Sequence, residues 1–145
     1  MKTFIVTVAL TLNFHGYHEV NDFVNKTISY VHDVRDEWQS PDETLVKKAG
    51  DCEDYALLKF AILKNQFPNV KLAYSMIMIN GKAEPHVVVL LDNKVLDNYN
   101  GEIKELSERQ DLRVAFTLDE NRVYVDGKET KIHPCDLRGI SRLCK

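Results

Sequence analysis

The stretch Gly50-Asp51-Cys52-Glu53-Asp54-Tyr55-Ala56-Leu57-Leu58-Lys59-Phe60-Ala61-Ile62-Leu63-Lys64 decides the fold. Gly50 is expected to close one helix and Asp51 to cap the next. Beyond the cap, Tyr55, Ala56, Leu58, Phe60, Ala61, Ile62, Leu63 and Phe67 wrap most of a helix circumference, with Pro68 closing it. Such a helix belongs at the centre of a core. Cys52 then occupies its first turn, where unsatisfied N–H groups and the positive end of the helix dipole favour an anion. A thiol so placed is predisposed to become a nucleophilic thiolate.

Working upstream, Ser40-Pro41-Asp42-Glu43 combines an N-cap, a proline at the first helical position and a capping-box glutamate. A short helix should run from there to about Lys48. Val20, Phe23, Val24, Thr27, Ile28 and Val31 follow the i, i+3, i+4 spacing of an amphipathic helix. Earlier still, Phe4, Val6, Val8, Leu10, Leu12 and Phe14 alternate with a mostly polar set, the period of a half-buried strand over residues 3–14. That alternation, with no small-residue cleavage site behind it, favours a strand over a secretory signal.

Downstream of Pro68 the pattern turns to strands: residues 71–80, a turn containing Gly81, residues 86–91, a tight turn at 92–94, and residues 95–98. Two more are expected at 113–118 and 122–125. Helices first and an antiparallel sheet afterwards make an α+β fold. The 145 residues suit a single domain spanning 1–145, with 127–145 an unassigned tail expected to cover a sheet edge.

A formal charge of -3 argues against non-specific nucleic-acid binding, so a protein or peptide partner is expected. No apolar run is long enough to span a membrane. Of the three cysteines, Cys135 and Cys144 are expected to form the one disulfide that an odd count allows, leaving Cys52 free. A zinc site joining them to His133 is disfavoured by the spacing.

A thiol nucleophile needs a base. His86 opens a strand after Pro85, from which its ring can reach a helix N-terminus, and Asp97 lies on the next strand of the same hairpin. Taken singly, each has a plainer reading: a buried small cysteine, a polar strand edge, a turn aspartate. Together, after a helix start and across one hairpin, they read as nucleophile, base and orienter.

The runs "GDCEDYALLKFAILK", "VNDFVNKTISYVHD", "PHVVVLLDNKVLDN" and "RQDLRVAFTLDENRVYV" resemble the bacterial transglutaminase-like cysteine peptidases, the family of the LapG-type proteases. The resemblance covers about Tyr17 to Val125. It implies a papain-like fold, with the catalytic cysteine at the N-terminus of a central helix packed on an antiparallel sheet. It also implies a catalytic triad of Cys52, His86 and Asp97, with Asp92 a rival for the third place. It implies calcium dependence, with Asp51, Glu53 and Asp54 as ligands, and no organic cofactor. A bound cation would answer a physical difficulty, since three carboxylates beside Cys52 otherwise oppose its ionisation. Equally, Asp51 and Asp54 could serve only as caps.

By the same resemblance Trp38 walls the substrate groove, and the substrate is a protein cut near small residues. Transglutaminase- or deamidase-type acyl transfer on the same triad is the alternative chemistry, and a non-catalytic protein-binding module the alternative class. Two departures stand out. The turn between the His86 and Asp97 strands is shorter than the family's, and LapG-type enzymes are exported, whereas this amino terminus reads as a strand. A cytoplasmic location is therefore expected, with the periplasm as the alternative. His15, His18, His32 and His133 have no partner legible in the sequence.

Overall fold

A helix apolar on nearly every side can only be buried, and α3 (Cys52–Leu63) is the element around which the others pack. The computed structural model describes residues 2–8, 13–32 and 37–145. Leu57, Leu58, Phe60 and Leu63 are fully enclosed. The helix ends at Leu63, earlier than the apolar run to Phe67 suggests, because residues 64–66 form a turn ahead of Pro68.

α1 (Tyr17–Thr27) lays Val20 and Val24 against α3. It stops short of Val31: Ile28 turns extended, and β1 (Ser29–Tyr30) pairs in parallel with β2 (Ala49–Gly50). Between those two strands lies α2 (Pro41–Lys47), which carries the expected capping box of Ser40 and Glu43. Gly50 does not end this helix. Lys48 does, in the left-handed conformation, and Gly50 is needed because a Cβ there would lie 2.6 Å from Asp54 Cβ. That close approach brings β2 onto the first turn of α3.

The second half forms a seven-stranded antiparallel sheet in the order β6-β5-β4-β3-β7-β8-β9. Its long central hairpin is β3 (Lys71–Ile79) and β4 (Lys82–Leu91). β5 (Lys94–Leu96) and β6 (Lys104–Glu105) extend one side, and β7 (Leu112–Leu118), β8 (Val123–Val125) and β9 (Lys128–Glu129) the other. β4 begins four residues before His86 despite Pro85. The proline is tolerated because β5 pairs only with Val89, Leu90 and Leu91, so β4 is an open edge where Pro85 sits. Alternate residues divide between two faces: Val87, Val89 and Leu91 meet the α3 core, while Val88 and Leu90 join Ala73, Ile77, Val95 and Leu112 in a second cluster.

At the amino terminus the alternation is real but the ladder is not. Phe4 and Val6 are buried and Ile5 is half exposed, yet among the described residues pairing consists of a single bridge from Phe4 to Cys144, flanked by backbone bonds between Thr3 and Lys145. Leu10 and Leu12 lie outside the described residues. The tail does more than cover an edge. It buries Cys135 and Ile140 in the main core and forms the Cys135–Cys144 disulfide, which rules out zinc on those thiols. Among the described residues, no helix is long and apolar enough to cross a membrane.

Candidate active site

The N-terminus of α3 is fastened by the residue one turn into it. Asp54 accepts the backbone N–H of Asp51 (3.1 Å), the backbone N–H of Gln39 (2.8 Å) and the Gln39 side-chain amide (3.0 Å). This clamp sets Cys52 against the open edge of β4, where the Val87 N–H donates to its sulfur. Cys52 is the free thiol among the described residues.

Burial pushes the Cys52 thiol well above its ordinary range, and the charges of Glu53 and Asp51 push it further. The Val87 N–H pulls the other way and is outweighed. Glu53 Oε2 lies 3.4 Å from the sulfur. The helix N-terminus alone therefore does not make this thiol a thiolate.

His86 lies beside Val87 at the same strand edge. Its Nε2 is 2.6 Å from Asp97 Oδ1. Asp97 falls just past the end of β5 and is fully buried. Burial alone would raise the Asp97 carboxyl, but the His86 hydrogen bond, the Tyr99 N–H and the Arg109 guanidinium together hold it below the usual carboxylate range. Arg109 Nη2 donates to Asp97 Oδ2 at 3.0 Å and, with Nε, also grips Asp111. From α1, Asn25 donates to the Asp97 carbonyl and Asn21 to that of Gly101, both at 3.0 Å, which pins the loop after β5. Asp92, the rival third member, is exposed at the β4–β5 turn and bonds Asn69 instead.

A cleft of about 290 Å³ opens over these groups. Cys52, Glu53, His86 and Val87 line it on one side. Trp38, Tyr74 and Phe116 stack along another, with ring centroids 5.7 and 4.6 Å apart, and Leu137 and Arg138 of the tail complete the rim. Trp38 is itself 2% exposed, so its contribution is as much to the core as to the wall.

The acidic run does not gather as expected. Among the described residues, no three His, Cys, Asp or Glu side chains form a metal-ligating group. Asp54 accepts hydrogen bonds from Gln39 and from the Asp51 backbone. Asp51 and Glu53 do meet, sharing a hydrogen bond, and Asp51 Oδ1 is buried without a partner. Burial, then the Glu53 charge, pushes the Asp51 carboxyl up to about 7. Two hard oxygen donors face each other here, one unsatisfied, and that pair fits a calcium ion as part of its shell.

Sequence reasoning missed Arg109, Asn21, Asn25, Tyr74, Phe116 and the tail residues at the rim. None carries a local signal, since each acts through a partner more than ten residues away. His133, left without a role, caps the turn Pro134–Asp136 by accepting the Cys135 N–H.

The family model of the bacterial transglutaminase-like cysteine proteinases matches residues 6–114. Three solved structures of Legionella pneumophila LapG are similar, each 23% identical and overlapping 88% of this chain. The EGTA-treated form has a TM-score of 0.74 over 75% of its own chain. A further LapG structure scores 0.70 and the calcium-bound form 0.71, each over 76%. No curated protein matches the chain. The chain thus belongs to the bacterial transglutaminase-like cysteine proteinases, and it is a cysteine peptidase of the transglutaminase-like superfamily.

Proposed function

We propose that Cys52, His86 and Asp97 act as nucleophile, base and orienter in the hydrolysis of a protein substrate. The observation that carries this reading is the 2.6 Å contact from His86 Nε2 to the buried Asp97, with His86 and Cys52 on the wall of one cleft. When Nε2–H donates to Asp97, Nδ1 is the ring nitrogen left to take the thiol proton. Because burial and Glu53 oppose a lone thiolate, the reactive form is the thiolate paired with the His86 imidazolium, whose charge Asp97 stabilises.

The thiolate attacks the scissile carbonyl, and the oxyanion takes the backbone N–H of Cys52 at the helix start. His86 protonates the leaving amine, and water, deprotonated by His86, hydrolyses the thioester. Trp38, Tyr74 and Phe116 offer the substrate an apolar wall. Asp51 and Glu53 would hold a calcium ion, supplying positive charge beside Cys52.

The Cys135–Cys144 disulfide favours an oxidising compartment such as the periplasm over the expected cytoplasm, where thiols are kept reduced. Alkylation by iodoacetamide at neutral pH tests the site. Cys52 should react rapidly in the wild type and at least ten times more slowly in His86→Ala. An unchanged rate in that variant would sink the triad. Mass spectrometry of proteins incubated with wild type and with Cys52→Ala then separates new N-termini, the hydrolytic outcome, from crosslinks or deamidated glutamines.

A further inference from the structure

Lys59 is a buried cation that the proposed chemistry does not use. It is 1% exposed, and its Nζ has no hydrogen-bond partner among the described residues. It lies seven residues after Cys52, two turns along the same helical face. The charge that acts on it is Asp97. Burial pushes its ammonium down to about 7, against an upward pull from that carboxylate.

Other unsatisfied atoms belong to residues bonded to Asp97 or close to it in the chain. Asn25, Asn98 and Asn21 each bury an Oδ1 without a partner, and Arg109 buries Nη1. Asn25 bonds the Asp97 carbonyl, Asn98 follows Asp97 in sequence, and Arg109 bonds the Asp97 carboxylate. Asn21 sits one turn before Asn25 on α1. Lys59, Arg109, Asn25 and Asn98 thus each feel, bond or adjoin one buried aspartate while keeping a buried polar atom unpaired, and such atoms are the ones that buried water bridges.

We propose that Lys59 is a positioning residue of the site: through buried water its ammonium takes up the carboxamide oxygens of Asn25 and Asn98, locking the helix that carries Cys52 to the loop that carries Asp97. The inference rests on the triad reading above. A buried ammonium is costly, and a core methionine of similar length would be cheaper at this point, so retaining it works against stability.

The test is Lys59→Met, read by the iodoacetamide rate at Cys52, by thermal melting and by the His86 ring N–H resonance. Lys59→Met should slow alkylation about tenfold and weaken the low-field resonance of the His86–Asp97 hydrogen bond, while the melting temperature holds or rises. In an Asp97→Asn background, Lys59→Met should add no further slowing, because its effect passes through Asp97. Where Lys59→Met does not fold, Lys59→Gln, which keeps a neutral donor, should give an intermediate rate. A rate within twofold of wild type in the folded variant, or full additivity with Asp97→Asn, overturns the proposal. If His86→Ala leaves alkylation unchanged, the triad fails; if His86→Ala slows it and Lys59→Met does not, this inference alone fails.

Discussion

Asp97 and Asp51 are both buried aspartates, one bonded to His86 and the other next to Cys52, and they are treated oppositely. Asp97 is met on every side: His86 and the Tyr99 N–H on one oxygen, Arg109 on the other. Its carboxyl is held below the usual range. Asp51 accepts the Asp54 backbone N–H, but it has Glu53 for a neighbour and an oxygen with no partner, and its carboxyl rises to about 7. Burial thus gives a settled anion where the chain supplies several donors, and an unsettled one where it sets a second acid alongside. Asp54 stands between them. It is raised to about 7 by burial, while the Gln39 N–H pulls the other way. The contrast is that the chain surrounds Asp97 with donors and leaves Asp51 beside a second acid with one oxygen unsatisfied.

The comparison breaks most visibly in activity. Cys52→Ala should abolish turnover, and Asp97→Asn should reduce it by roughly two to four orders of magnitude by releasing the His86 ring. Proteolysis of a substrate identified by its new N-termini provides the measurement. Asp51→Asn should leave far more activity than Asp97→Asn in saturating calcium; equal losses would erase the contrast.

Stability sharpens it next. Asp97→Asn should cost about 3 kcal/mol at pH 7, the low end for a broken buried pair because Arg109 keeps Asp111. The folded carboxyl lies below its unfolded value of about 3.9, so this stabilisation is complete above that pH and is lost as pH falls through the lower folded value. Denaturant titrations from pH 7 to pH 2 should show wild type and variant converging below about pH 4. A constant gap across that range would mean that Asp97 is not the anion described.

Calcium at a hundredfold excess over its dissociation constant should stabilise the wild type by about 2.7 kcal/mol, and should do nothing for Asp51→Asn. Thermal melts with calcium and with EGTA measure both. An equal response in the two proteins would place the cation elsewhere. The smallest effect expected is for Gln39→Ala, about 1–2 kcal/mol, since it removes the side-chain donor to Asp54 while the backbone donors remain.

Much of this was legible beforehand where the signal is local. The Ser40 capping box, the all-round apolar α3 and the β3–β4 hairpin follow from caps, periodicity and turn residues close together in the chain. Cys52 and His86 could be singled out because a helix start and a strand start confine their positions. Asp97 was singled out by its expected place on the neighbouring strand and by family resemblance, and it falls just past the end of that strand. Errors fell where a distant contact overrides a local pattern. Val31 left the helix because β1 pairs with β2, and Gly50 proved to serve the Asp54 approach, not the end of α2.

By itself, then, the sequence determined the α+β class, the central helix and the thiol at its start, since each depends on spacing within a dozen residues. Only the tertiary structure decided which carboxylates turn toward donors and which toward one another. Asp51 and Asp54 are both acidic residues of one helix turn, alike in the chain. Their difference comes from Gln39 and Glu53, whose side chains reach them only after the chain has folded. Arg109 reaches Asp97 in the same way, across a loop that no local pattern predicts. A buried charge is governed by what surrounds it in space, and that is settled by packing.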